Sequence, residues 1–154
     1  MSLEVLQKQV AIIQKNKLMN YWLVKFAPFR YSWNDVLRNG KFEIYSVRNA
    51  QARNNLKVMQ LNDEVLFYHS QEGNSIMGKM KVIEEAHQDK TTDDARWVSV
   101  TFEPIESFKK PIALSQIKAT KELENIALIK QPRLAVMSIK KEEYEILLSI
   151  ANGL

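Results

Sequence analysis

The residues best equipped to hold a polar or anionic partner lie in one stretch, Val47-Arg48-Asn49-Ala50-Gln51-Ala52-Arg53-Asn54-Asn55-Leu56, and no acidic residue occurs between Glu43 and Asp63. Arginine offers a flat fork of donors suited to phosphates or a base edge. Asparagine and glutamine carry paired donor and acceptor groups that match nucleobase edges. Read as a short helix, the stretch puts Ala52, Leu56 and Met59 on one apolar stripe, while Arg53, Asn54 and Lys57 face away. One face anchors and the other is free to bind, although by residue type alone such a face is more often simply solvated.

Catalytic signatures are sparse. The four glycines stand at 40, 73, 78 and 153, which leaves neither a Walker loop nor a dinucleotide fingerprint. With no cysteine there are no disulfides, thiolate metal sites or cysteine nucleophiles, and two histidines in different segments argue against zinc. His69 and Ser70 suggest a base and a nucleophile, but neighbours in a strand point to opposite faces. His69 is better read as a core or rim histidine with a hydrogen-bond partner, and Ser70 as a cap for the following turn. Asp93 and Asp94 read as solvated turn residues rather than metal ligands.

The elements that would position these groups follow from local pattern. Residues 3–17 form an amphipathic helix with Leu3, Leu6, Val10 and Ile13 on one side. Tyr21 to Phe26 is a buried strand ended by Pro28, and Ser32 with Asp35 opens a helix over 33–39 that Gly40 stops. Phe42 to Val47 is a strand leading into the central stretch. Leu61-Asn62-Asp63 is a turn, Glu64 to Ser70 a strand, and alternation resumes from Ile76 to about Ile83. A polar loop through Asp89 to Ala95 precedes a strand from Trp97 to Phe102. Short helices over 114–128, a strand over Leu134 to Ile139 and a helix opened by Glu142 and Glu143 complete the chain. Successive strands with few helices between them imply an antiparallel sheet curling into a small barrel.

The chain has 154 residues, one domain's worth, and at 45% hydrophobic and 26% charged its composition is that of a folded domain rather than a disordered one. No apolar run spans a bilayer and no signal peptide is evident, so a cytoplasmic protein without a membrane partner is expected. A net charge of +4 is modest. Its distribution is more telling: a second acid-free stretch holds Lys109, Lys110, Lys118 and Lys121, and a third holds Lys130, Arg133, Lys140 and Lys141. If the three converge, they form a phosphate-attracting surface.

The run VRNAQARNNL, with Tyr21-Trp22-Leu23-Val24-Lys25 before it, Val65-Leu66-Phe67-Tyr68-His69-Ser70 after it and Ala127 to Leu134 near the end, resembles the EVE domain family, a relative of the PUA, ASCH and YTH domains. The resemblance covers residues 20–154 and leaves 1–19 as an N-terminal helical extension. That extension fits an added segment, a native extension or an oligomerisation helix that makes a homodimer, with Met19 as an alternative start. The fold implied is α+β and mainly β, a PUA-like small barrel of five or six strands with short peripheral helices. The function implied is recognition of nucleic acid, DNA or RNA, with one modified base, such as methylated or hydroxymethylated cytosine, flipped into a pocket. No cofactor and no metal are implied.

Carried over by motif position, the site would comprise Arg48, Asn49, Gln51, Arg53 and Asn54, together with His69, Ser70 and Arg133; Lys25 stands at the end of the first strand. Three departures bear on the pocket. Lys25-Phe26-Ala27-Pro28 replaces the family's Lys-Ser-Glu-Pro, Ile44 beside Tyr45 replaces a tryptophan, and Ala50 replaces an aromatic. Either Phe26 and Tyr45 then supply the aromatic wall for the base, or the pocket has changed its ligand. Two other classes stay open: an ASCH-like hydrolase or ribonuclease acting on RNA or a small amide through His69, Tyr68 or a lysine, and a small-ligand or protein-binding module whose basic stretches do not meet.

Overall fold

The computed structural model describes residues 2–153, apart from the side chains of residues 11–18. Six strands, β1 (Tyr21–Phe26), β2 (Phe42–Glu43), β3 (Glu64–His69), β4 (Ser75–Gln88), β5 (Val98–Ala113) and β6 (Val136–Ile139), form one sheet in the order β2-β5-β4-β3-β1-β6. The helix α1 (Leu3–Leu18) precedes it, and around it lie α2 (Trp33–Asn39), α3 (Ala50–Val58), α4 (Leu114–Lys118), α5 (Ala127–Lys130) and α6 (Lys141–Ala151), with a 3-10 turn at Lys121–Leu123. The class is the expected α+β fold with a barrel-like sheet. Register shifts at four places between β4 and β5 and one between β3 and β4 mark bulges, which bend strands and let a sheet curl.

The sheet is mixed, however, not antiparallel. β1 and β3 run parallel, with Lys25 opposite Tyr68 and Phe26 opposite His69, because residues 27–63 form a crossover that returns the chain to its starting end. β4 and β5 also run longer than local alternation implies. Pro104 and Pro111 discourage extending β5, yet Pro104 sits at a register shift opposite Met80, where a missing N–H is tolerated. In the other direction, the strand expected over Phe42 to Val47 stops at Glu43. Ser46 takes a left-handed backbone (φ 58°), and its N–H donates to Asp89 instead of to a strand.

Both faces of β1 and β3 are covered. Trp22, Val24, Phe26, Val65 and Phe67 point into an aromatic core, where Phe42 meets Phe26, Phe67 and Phe102 at centroid distances of 5.0, 5.4 and 6.1 Å. Trp33 closes this core from α2 and packs on Phe67 at 5.6 Å. Its Nε1 donates to Ser107 Oγ at 2.8 Å. The capping box of Ser32 and Asp35 starts that helix, and Gly40 ends it in the left-handed region (φ 72°). On the opposite face Tyr144 of α6 stacks on Tyr21 and donates to Glu64 at 2.6 Å.

In α3, Ala52 and Leu56 have no exposure, and Met59, the residue that caps its end, has only 2%, as the apolar spacing predicts. Leu3, Leu6 and Val10 of α1 are exposed, while the side chain of Ile13 lies outside the described ones. Among the described residues no helix is long and apolar enough to cross a membrane.

Candidate nucleic-acid interface

Strand alternation decides what reaches the surface at the end of β1. Phe26 turns into the core, so Lys25 turns the other way, beside Tyr68 of the parallel neighbour. The Lys25 Nζ lies 5.9 Å from the Tyr68 ring centroid and donates to the Pro132 carbonyl at 2.7 Å. A cleft of about 480 Å³ opens there. Its polar lining comes from Lys25, Arg30, Tyr68, Ser70 and Arg133, with Gln71 and Asn74 at one side and Leu128 and Leu134 supplying apolar surface. Among the described residues no carboxylate lines it. Burial pushes Lys25 down and Tyr68 up from their ordinary values.

A second depression of about 410 Å³ shares the Pro132–Leu134 wall with this cleft and is completed by Asn49, Gln51 and Gln131. It lies against the start of α3, whose first turn carries no acid. Asn49 has two tasks. Its side-chain oxygen caps the helix by accepting from the Ala52 N–H at 2.9 Å, and the residue also lines the depression. Asn55 then ties α3 to the sheet through Val136 O at 2.8 Å.

Lys25, Ser70, Asn49, Gln51 and Arg133 are therefore brought to two adjoining depressions. The remaining expected residues are placed elsewhere, each for a definite reason. Arg48 pairs with the buried Asp89 at 2.9 Å and also donates to Thr91. Arg53 donates to Asn54 at 3.2 Å, and its guanidinium lies 5.4 Å from the Trp97 ring, which Arg48 and Arg96 also approach. His69 Nε2 accepts from the Trp33 N–H at 2.9 Å, so its lone pair is engaged in starting α2. Burial holds His69 below its ordinary value, with Glu72 acting weakly in the other direction.

Phe26 and Tyr45 do not wall the cleft. Neither is among the residues that line it, and the Arg30 guanidinium lies 4.3 Å from the Phe26 ring and 4.9 Å from that of Tyr45. The two rings seat Arg30 at the cleft rim. Among the described residues Tyr68 is the aromatic residue in the cleft lining, with 2% of its surface exposed. Arg30, Gln71 and Asn74 escaped sequence reading. The turn at 71–74 offered a signal only in its Gly73 and Asn74, which suit the left-handed backbone that the turn adopts.

An EVE domain model matches residues 20–150. This chain belongs to the EVE domain family. It is 30% identical to mouse thymocyte nuclear protein 1 in an alignment that spans 86% of this chain and 74% of that protein. A solved protein of Agrobacterium tumefaciens superposes with a TM-score of 0.84 at 36% identity, covering 86% of this chain and 92% of that one. Human THYN1, solved in complex with 5-methylcytosine-containing DNA, superposes with a TM-score of 0.81 at 27% identity, covering 86% and 97%.

In this EVE domain the departures at Ile44 and Ala50 have different consequences. Ile44 is fully buried, with its N–H on Val100 O, so it belongs to the core. Ala50 is the exposed first residue of α3 and brings no aromatic surface to the helix start. Of the three basic stretches, the first and third meet where Gln51 and Arg133 share a depression. The second divides: Lys109 and Lys110 line a separate depression beside Ala151 to Gly153, while Lys118 lines one that shares Asn74 and Leu114 with the cleft.

Proposed function

We propose that this EVE domain reads a modified cytosine in DNA, taking one flipped base into the cleft between Lys25, Tyr68 and Arg133. The observation that carries the reading is the cleft itself, which among the described residues has three cations and no carboxylate in its lining. Its volume of about 480 Å³ lies in the range of ordinary ligand pockets. Apolar surface from Leu128 and Leu134 suits the face of a base, Ser70 offers a hydroxyl to its edge, and the cations suit the phosphates that flank it. The complex of human THYN1 with 5-methylcytosine-containing DNA supports the choice of base. The domain binds without chemistry of its own: the Nε2 lone pair of His69, the histidine next to the cleft serine, is taken by a backbone N–H.

The test is equilibrium binding of DNA duplexes with plain, methylated or hydroxymethylated cytosine across a salt series. A preference for a modified base that persists as salt rises supports the pocket, because base contacts release no counterions. Equal binding that vanishes with salt, or no binding, overturns it.

A further inference from the structure

A base drawn into a pocket stays attached to its strand by a phosphodiester on each side, so the strand must leave the cleft in two directions. The depression at Asn49, Gln51 and Arg133 adjoins the cleft through Pro132 to Leu134. At a different part of the rim, at Asn74 and Leu114, lies a third depression of about 340 Å³, lined by Gly73, Asn74, Ala113, Leu114, Ser115 and Lys118. It shares Asn74 and Leu114 with the central cleft, and the Leu114 N–H donates to Asn74 O at 2.9 Å. The three depressions thus adjoin, each outer one sharing a wall with the cleft.

Among the described residues no carboxylate lines any of the three. Glu72, the acidic residue of the adjoining turn, is exposed and lines none of them. Lys118 is the cation of the third depression, with the exposed Ser115 hydroxyl and the Asn74 amide beside it. The wall between cleft and depression is a turn in which Gln71 (φ 66°), Gly73 (φ 86°) and Asn74 (φ 38°) all adopt left-handed backbone. For glutamine that conformation costs energy, and such cost tends to be retained where it places a side chain for use. Here it sets Gln71 and Asn74 at the rim.

We propose that the depression formed by Lys118, Ser115 and Asn74 is a phosphodiester site that holds the DNA strand on one side of the pocketed base. The site rests on the reader function above and gives the bound strand its path: the Arg133 depression, the cleft, then Lys118. Its contribution is blind to sequence and modification, since a lysine meets phosphate as a point charge.

The test uses the full chain and a duplex carrying one 5-methylcytosine, with its unmodified twin, across a salt series. Lys118→Gln is expected to weaken both duplexes severalfold by the same factor, to flatten the salt dependence by about one unit of slope and to leave the methylated-to-plain ratio unchanged. Lys118→Arg restores both. If wild type prefers the methylated duplex and Lys118→Gln alters neither affinity nor slope, the phosphodiester site is wrong and the reader stands. A changed ratio would move Lys118 to the base and also overturn the assignment. If wild type binds both duplexes equally, the reader falls, and a slope still flattened by Lys118→Gln keeps the phosphate contact. Binding of neither duplex overturns both.

Discussion

Arg48 Nη1 donates to the Asp89 carboxylate at 2.9 Å, and that carboxylate has no solvent exposure. Asp89 also accepts from the Ser46 N–H and from the backbone and hydroxyl of Thr91, so the pair clasps the entry to α3 onto the turn between β4 and β5. Burial pushes the Asp89 carboxyl up, but the hydrogen bonds from Thr91, Arg48 and Ser46 outweigh it and hold the group at about 2. Arg48 thus acts as a structural cation.

Arg48→Ala is accordingly expected to cost about 2 kcal/mol, less than for a fully enclosed pair because the arginine is partly exposed. A carboxylate with a lowered folded value contributes fully above its ordinary value of 3.8, and that contribution is lost as pH falls toward about 2. Urea unfolding at pH 7 and pH 3 checks both statements. The gap between wild type and Asp89→Asn should narrow in acid, and a constant gap would contradict it.

The neutral His69 ring accepts the Trp33 N–H, and protonation would remove that acceptor. Its folded value is lowered, so its stabilisation is complete above the ordinary value of 6.5 and is lost as pH falls below it. His69→Phe should cost about 1 kcal/mol at pH 8 and remove this dependence between about pH 7 and pH 5, read from thermal unfolding. A variant with wild-type pH dependence would place the titration elsewhere.

Gly78 lies under Trp33. A Cβ there would stand 2.3 Å from Trp33 Cζ2 and 2.5 Å from the Glu106 carbonyl oxygen. Gly78→Ala should therefore cost at least about 1 to 3 kcal/mol, as overpacking does. Adding Trp33→Leu should recover part of the loss, a coupling that a double-mutant cycle of urea midpoints measures. Strict additivity would show that the two positions do not compete for space.

The two faces of α3 should separate stability from binding. Leu56→Ala is expected to cost roughly 2 to 5 kcal/mol, because Leu56 is fully buried. Gln51→Ala, on the exposed face beside Arg133, should stay within about 0.5 kcal/mol of wild type while lowering DNA affinity. Chemical unfolding and DNA titration of both proteins decide, and equal stability losses would refute the assignment of faces.

Lys25→Met keeps the aliphatic stem beside Tyr68 and removes the Nζ that holds Pro132 O. With that charged hydrogen bond absent, the wall shared by the two depressions loosens. Affinity for methylated DNA should fall about tenfold, near the lower end of what such a bond contributes. An unchanged affinity would show that the wall is held by its apolar contacts alone.

What the sequence determined by itself was local. The apolar spacing of Ala52, Leu56 and Met59, the Ser32 and Asp35 capping box and the alternation along Tyr21 to Phe26 are each set by neighbours a few residues apart, so a single stretch suffices to read them. The family motif likewise pointed to the neighbourhood of Asn49, Gln51, Ser70 and Arg133.

Tertiary structure decided which of those groups meet. Arg48 and Asp89 are 41 residues apart, and Lys25 and Pro132 are 107 apart. No local pattern encodes either contact, because each depends on the parallel pairing of β1 with β3 and on the bulges that bend β4 and β5. One residue of strand alternation sends Phe26 to the core and Lys25 to the cleft. An arginine can face a phosphate or a buried aspartate with the same side chain, and only packing settles which partner lies within reach.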